Sequence, residues 1–191
     1  EIELKANVLT AHPVNPPLSI PLVELVPAPF TSPDIVLRAK KIQLSIGQQP
    51  IIVKKEVPGF CMNRMQYALL AEAFRIVEDG IASPEDVDIA IKHGLGPRWS
   101  FMGPFETIDL NAPDGVIDYC QRYAAPLLDI VQQQDNSRHS GNWPQKVIED
   151  ISATVRRDVP IDRMKERLQW RDDMLMKIAK AKREGIWKSK S

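Results

Sequence analysis

Residues 51–80 read IIVKKEVPGF CMNRMQYALL AEAFRIVEDG, and this stretch separates two kinds of sequence pattern. Its first three residues form a β-branched run that is typical of a strand, and a loop follows at Pro58-Gly59. From 64 to 79 apolar residues recur every three or four positions, which predicts a helix that ends at Gly80. We therefore expect sheet before this stretch and helix after it.

The residues before this stretch predict a small β-rich head. Apolar runs at 7–11 and 21–26 are typical of strands, and prolines fix the loop between them. A helix is expected from the Ser32 cap to Gly47. So little sheet is not stable alone. Because the chain also begins at Glu1 without an initiator Met, we expect a fragment whose missing strands come from upstream residues or from another chain.

The residues after this stretch predict an all-helical body. A Ser-Pro-Glu-Asp cap at 83–86 begins a helix that is expected to end near Gly94, and a turn is expected at 94–97. The remaining apolar periodicity predicts helices at 104–111, 113–133, 145–157 and 162–184, with a polar loop at 135–142. The sequence thus predicts a mainly α fold with a short β-rich head.

Composition and charge exclude several classes of function. The 191 residues are 43% hydrophobic and 26% charged, which is enough apolar material for a globular core. Basic and acidic residues both number 25, so no positive field favours nucleic acid or an anionic membrane. No apolar run reaches the roughly 18 residues that span a bilayer, and no signal peptide is visible. The two cysteines are too few for a disulfide scaffold, which favours a reducing, cytoplasmic location.

Metal and phosphate sites find no support in the sequence. The three histidines and two cysteines have no metal-ligand spacing, so we expect no protein-built metal site. A glycine-rich phosphate motif is also missing, because Gly94 and Gly96 are followed by Trp99 where a third glycine would be needed.

His12 and Glu24 are the first candidates for chemistry. Each lies in or at the end of an expected strand, and if the strands are neighbours the Glu24 carboxylate can accept a hydrogen bond from one imidazole nitrogen of His12. That bond would fix the tautomer and make the other nitrogen a better general base. Spacing alone favours a simpler interpretation, a strand-end histidine near a solvated glutamate.

Two further polar residues are candidates for binding. Asn63 lies at an expected helix start, after the close backbone approach that Gly59 permits, where its amide could face a cleft. The alternative is an ordinary N-cap, for which asparagine is favoured. Arg98 could hold an anionic substrate group through a bidentate contact, although a solvated loop arginine is the commoner case.

Several long motifs resemble those of the 3-hydroxyacyl-CoA dehydrogenase superfamily. They are HPVNPP at 12–17, PLVE at 21–24, PGFCMNR at 58–64, GLGPRWSFMGPFET at 94–107, YCQRY at 119–123 and QWRD at 169–172. The later motifs are similar to one branch in particular, the lambda-crystallin branch, which includes L-gulonate 3-dehydrogenase. The resemblance implies an NAD-dependent dehydrogenase of a small molecule, with a Rossmann domain and a helical, 6-phosphogluconate-dehydrogenase-like C-terminal domain that pairs as a homodimer.

The resemblance also assigns roles to individual residues. It makes His12 the catalytic acid/base and Glu24 the residue that orients it. Asn63 would contact the substrate, and Asn15 would lie beside the nicotinamide and the substrate. Arg98, as a ligand of the sugar carboxylate, is our own hypothesis.

The resemblance defines the expected domains and leaves alternatives. Residues 1–55 would be the C-terminal remnant of the Rossmann domain and 56–191 the helical domain. The glycine-rich turn of the family is absent from this sequence, so we expect the chain alone to be inactive. Oxidation of 3-hydroxyacyl-CoA or of carnitine remains an alternative reaction, and a non-catalytic structural role is an alternative of another class.

Overall fold

The structure is a computed structural model that describes residues 4–135 and 143–185. Three strands and eight α-helices follow one another in these residues, so the expected mainly α fold is confirmed. The elements are β1 (Leu9–Pro13), β2 (Leu22–Pro27), α1 (Pro33–Ser45), β3 (Gln49–Ile52), α2 (Met62–Glu78), α3 (Pro84–Ala90), α4 (Gly96–Trp99), α5 (Pro104–Asp109), α6 (Gly115–Asp135), α7 (Gln145–Asp158) and α8 (Met164–Arg183). The loop expected at 135–142 falls, apart from its first residue, outside the described residues.

The described chain forms two compact units. The first contains the residues up to Ala68 together with 162–185, and therefore the whole sheet. The second contains Leu69–Ile161 and is helical.

The sheet of the first unit has the order β1-β2-β3. β1 and β2 run antiparallel, and β2 and β3 run parallel. The parallel pair needs a crossover connection, which α1 provides. The central strand is the most buried, with Val23, Leu25 and Val26 at most 4% exposed, and Val36 of α1 and Val53 add to this core. Burial of these apolar side chains holds the strands in register.

The chain enters β1 two residues later than expected. Residues 7–11 were predicted as a strand, but Lys5–Asn7 form a 3₁₀ turn and β1 begins at Leu9. The Thr31 hydroxyl donates to the Val8 carbonyl and accepts the Ala28 N–H, and the Ser32 N–H donates to the Ala6 carbonyl. These contacts tie the chain before β1 to the start of α1, which a local apolar pattern does not reveal.

The turn predicted at 94–97 is wrong, and so is the helix end near Gly94. The helix runs on from α3 through a π-helical turn (Ile91–Leu95) into α4. The physical reason is Pro97, which has no N–H to donate into an α-helical ladder, so the backbone widens and the Gly96 N–H bonds to the Ile91 carbonyl five residues back. A Cβ on Gly96 would lie 2.9 Å from that carbonyl oxygen. Glycine is therefore required at 96 for close approach.

Helix α3 of the second unit begins at its expected signal. Ser83 caps α3, with its hydroxyl oxygen accepting the Asp86 N–H at 3.1 Å and Pro84 in the first turn. Ring stacking between Phe74 of α2 and Trp143, with centroids 4.6 Å apart, joins two distant parts of the chain. Helices α5 and α6 are neighbours, as are α3 and α7.

Candidate active site

His12 and Glu24 face each other across the β1-β2 pair. They are direct partners in the antiparallel register, so their side chains leave the same face of the sheet. The Nδ1 atom of His12 lies 3.0 Å from Oε2 of Glu24. The hydrogen bond predicted from the sequence depended on the two strands being neighbours, and the observed register meets that condition.

The Glu24 carboxylate is completely buried, whereas the His12 side chain is 34% exposed. A solvated glutamate, the simpler interpretation of the spacing, is therefore wrong. The second carboxylate oxygen of Glu24, Oε1, accepts hydrogen bonds from the backbone N–H groups of Cys61 at 2.8 Å and of Met62 at 2.9 Å. These N–H groups belong to the start of α2, where the positive end of the helix dipole also favours an anion. The carboxylate is thus held by three hydrogen bonds.

These contacts decide the ionisation of Glu24. Burial raises the pKa of the carboxyl, but the Met62 N–H, the His12 imidazole and the Cys61 N–H together outweigh it and hold the pKa below its ordinary value. An ionised carboxylate only accepts hydrogen bonds, so the proton between Nδ1 and Oε2 belongs to Nδ1. In neutral His12 the lone pair is then on Nε2. The pair therefore has the form of a general base with its orienting acid.

A turn at Gly59 and Phe60 brings the helix start to Glu24. Both residues have left-handed backbone angles, with φ of 79° and 47°. This conformation is free for glycine, but it costs a residue with a Cβ roughly 1–2 kcal/mol. The Phe60 ring lies against the His12 imidazole, with centroids 5.5 Å apart and planes at 63°. Sequence reasoning missed Phe60, because Pro58-Gly59 signals a turn without showing what the next side chain will face.

Asn63 is the second residue of α2, so its interpretation as an N-cap is wrong. The helix begins at Met62, and Glu24 takes the capping role from a different element. The Asn63 side chain is half-buried and makes no hydrogen bond within the described residues, which leaves its amide available. Asn15 lies after β1 and is exposed. Both asparagines belong to the same unit as His12.

Arg98 belongs to the second unit and lies on α4. Its interpretation as a loop arginine is wrong because helix continues through the expected turn. The side chain is half-buried, and its guanidinium has no acidic partner in the described parts of the chain. Arg98 remains a candidate for an anionic group.

Residues 4–135 and 143–185 contain neither a metal-binding cluster nor a helix that could cross a membrane. No group of three or more His, Cys, Asp or Glu side chains there could hold a metal ion. Among the same residues, no helix combines the length and apolar character that crossing a bilayer requires.

Comparison with known proteins relates this chain to a family. The curated relatives include the lambda-crystallin homolog of Homo sapiens, 46% identical over 175 residues that cover 91% of this chain and 54% of that protein. Another is L-carnitine dehydrogenase of a Pseudomonas species, 33% identical, covering 91% of this chain and 53% of that protein. The chain thus spans about half the length of the curated relatives it matches.

A solved structure and two family models agree with these relatives. The structure of 5-formyl-3-hydroxy-2-methylpyridine 4-carboxylic acid 5-dehydrogenase, an NAD⁺-dependent dismutase, matches with a TM-score of 0.69 and 27% identity, over 96% of this chain and 57% of that one. Residues 1–57 match the 3-hydroxyacyl-CoA dehydrogenase NAD binding domain, and residues 59–152 match the C-terminal domain of the same family. Since both models match in consecutive order, the chain belongs to the 3-hydroxyacyl-CoA dehydrogenase superfamily.

Proposed function

We propose that the whole protein is an NAD-dependent dehydrogenase that oxidises the C3 hydroxyl of L-gulonate to 3-dehydro-L-gulonate. The observation that carries this proposal is the buried Glu24 carboxylate bonded to Nδ1 of the partly exposed His12. Oxidation of an alcohol needs a base for the hydroxyl proton, and neutral His12 with Nδ1–H on Glu24 has its lone pair on Nε2 for that purpose.

The chain's own residues divide the work of proton transfer. Nε2 of His12 accepts the proton of the C3 hydroxyl, which leaves an imidazolium cation. Glu24 stabilises that cation, because its carboxylate is ionised and lies 3.0 Å from Nδ1. The three hydrogen bonds to Glu24 are made before the reaction, so little reorganisation is needed when the charge appears.

The residues present fit one end of NAD. When bound, NAD supplies the acceptor for the hydride that leaves C3. The exposed amide of Asn15, three residues after His12, offers a donor and an acceptor of the kind that a nicotinamide carboxamide requires. The sequence of this chain contains no glycine-rich turn for the pyrophosphate, so we assign only the nicotinamide end to these residues.

The substrate side of the proposal uses Asn63 and Arg98. Asn63 follows directly on the two residues whose N–H groups hold Glu24, and by the family resemblance we assign its amide to the sugar near the reacting carbon. Arg98 would bind the carboxylate of gulonate. L-gulonate is proposed as the substrate because the later motifs resemble the lambda-crystallin branch, which includes L-gulonate 3-dehydrogenase. The lambda-crystallin homolog of Homo sapiens is also 46% identical to this chain, against 33% for the carnitine dehydrogenase.

The domain and partner proposals follow from the same family. We assign 1–55 to the end of a Rossmann domain and 56–191 to a helical, 6-phosphogluconate-dehydrogenase-like domain through which two copies pair. Apolar side chains on α8 support a pairing surface, since Leu168 and Ile178 are 44% and 41% exposed.

Two alternatives have specific support. A relative named L-carnitine dehydrogenase and the 3-hydroxyacyl-CoA family models favour carnitine or a 3-hydroxyacyl-CoA as the substrate of the same dyad. The name of the lambda-crystallin relative favours a non-catalytic structural role.

The test is NADH formation by the longest natural product of the gene, offered L-gulonate, 3-hydroxybutyryl-CoA and carnitine in parallel. His12→Ala should lower kcat by about 10²- to 10⁴-fold with a modest change in KM, and Glu24→Gln should lower it less. His93→Ala is the matched control, because His93 lies in the π-helical turn of the second unit and should leave turnover unchanged.

Each outcome decides between the proposals. Near-normal kcat in His12→Ala would remove the mechanism. Activity on carnitine or 3-hydroxybutyryl-CoA without activity on gulonate would transfer the assignment to that substrate. Silence on all three substrates would favour the structural role.

A further inference from the structure

The turn at Gly59 and Phe60 touches both members of the candidate dyad. Its backbone leads into the Cys61 and Met62 N–H groups, which bond to Oε1 of Glu24. Its one large side chain, Phe60, lies edge-on to the imidazole of His12 with ring centroids 5.5 Å apart. Glu24 is therefore held through the backbone of this turn and His12 through its side chain.

His12 needs such a second contact. Rotation of an imidazole about its Cβ–Cγ bond has broad energy minima. A single hydrogen bond to Nδ1 therefore does not fix the orientation of the ring. The side chain is also 34% exposed, so within the described residues part of the imidazole lacks protein neighbours that would fix its orientation. The Phe60 ring restricts this rotation, because it occupies the space on one side of the imidazole.

The backbone of Phe60 points to the same conclusion. A left-handed conformation is rare for a bulky residue, and such conformations persist where surrounding contacts determine them. Here the Phe60 N–H donates to the Val57 carbonyl at 3.0 Å, the ring contacts His12, and the next two N–H groups donate to Glu24, so contacts on both sides hold this conformation.

We propose that Phe60 is a positioning residue that holds the His12 imidazole with Nδ1 on Glu24 and Nε2 toward the substrate. The proposal rests on the proposed function for its effect on turnover, but its effect on His12 is independent of any reaction. Phe60 itself touches no reacting atom.

Two substitutions separate the ring from the turn. Phe60→Gly removes the ring and makes the left-handed backbone easier, since glycine adopts positive φ without penalty. Phe60→Tyr keeps the ring. If only the turn mattered, Phe60→Gly would leave the tautomer of His12 unchanged. If the ring positions His12, Phe60→Gly should change that tautomer and Phe60→Tyr should not.

The first readout is the tautomer of His12, measured by imidazole ¹⁵N shifts in the longest natural product labelled with ¹⁵N-histidine. The His12 signals are identified by their loss in His12→Gln. The unsubstituted protein and Phe60→Tyr should show the Nδ1–H tautomer, and Phe60→Gly should show averaging of the two tautomers. If Phe60→Gly showed the same Nδ1–H tautomer as the unsubstituted protein, the proposal would be overturned.

The second readout is turnover. In Phe60→Gly kcat should fall by about 10- to 100-fold while KM changes less than about twofold, because a misplaced base slows proton transfer without removing a substrate contact. Phe60→Tyr, which keeps the ring, should have the kcat of the unsubstituted protein. Loss of kcat in both variants to the same extent would contradict a role of the ring.

The two proposals fail in different ways. If His12→Ala stays active while Phe60→Gly still changes the tautomer, the proposed reaction is wrong and the positioning role stands. If His12→Ala is inactive and Phe60→Gly keeps the native tautomer, the positioning role is wrong and the reaction stands. Should Phe60→Gly lose its far-ultraviolet dichroism, Phe60→Leu removes the aromatic ring with the side-chain volume largely kept, and the same expectations apply to it.

Discussion

Glu24 of β2 and Met62 of α2 are 38 residues apart, and the Met62 N–H donates to Oε1 of Glu24 at 2.9 Å. The same carboxylate bonds to His12 through its other oxygen. One buried side chain therefore anchors the start of a helix and orients the candidate base. A substitution of Glu24 therefore affects the start of α2 and the candidate base together.

The loss of the Glu24 carboxylate should destabilise the first unit according to what replaces it. Glu24→Ala leaves the Cys61 and Met62 N–H groups without an acceptor, and the free energy of unfolding should fall by about 3 kcal/mol. Glu24→Gln keeps an oxygen for both N–H groups, and the loss should be about 1 kcal/mol. Urea unfolding at pH 7 measures both values. Equal stability of the two variants would show that the helix start does not depend on this acceptor.

Glu24 should also make stability depend on pH. Its pKa is lowered in the folded protein, whereas in the unfolded chain it takes the ordinary value of about 4.3. The stabilisation by Glu24 is therefore fully present above that ordinary value and is lost as pH falls through the lowered one. Relative to Glu24→Gln, the advantage of the unsubstituted protein should shrink as pH falls below about 4.3. An advantage that grows as pH falls below that value would contradict the assigned direction.

Several elements of both units were predictable because their signals are local. Apolar runs gave both strands of the β1-β2 pair to within two residues, and Ser83 and Pro84 gave the start of α3. The pairing of His12 with Glu24 followed once those strands were taken as neighbours.

The remaining features depend on groups that a sequence does not distinguish. Glu24 can be buried because two backbone N–H groups, 37 and 38 residues away, donate hydrogen bonds to its carboxylate, and every residue except proline has such a group. Asparagine is a residue type favoured at N-caps, but at the start of α2 Glu24 from β2 supplies the capping oxygen instead of Asn63. Phe60 faces His12 because its backbone is left-handed, and a phenylalanine in the sequence does not predict that conformation.

Arg98 should matter for substrate affinity if it binds the sugar carboxylate. Loss of a charged hydrogen bond costs about 1.5–3 kcal/mol, so Arg98→Ala should raise KM for L-gulonate by roughly 10- to 100-fold with kcat little changed. Arg122→Ala is a suitable control, because Arg122 already pairs with Asp118 on α6. The measurement is steady-state NADH formation. An unchanged KM in Arg98→Ala would exclude Arg98 as the carboxylate ligand.

The two glycines near the π-helical turn should respond oppositely to alanine. A Cβ on Gly96 would lie 2.9 Å from the Ile91 carbonyl oxygen, which cannot move without disturbing the turn, so Gly96→Ala should cost about 1–3 kcal/mol. A Cβ on Gly94 would meet nothing within 4 Å, and alanine has the higher helix propensity, so Gly94→Ala should be neutral or stabilise by up to about 1 kcal/mol. Thermal unfolding of both variants checks this order. If Gly94→Ala were the more damaging, a helix end at Gly94 would be favoured over continuation into α4, because a left-handed glycine at a helix end does not tolerate a Cβ.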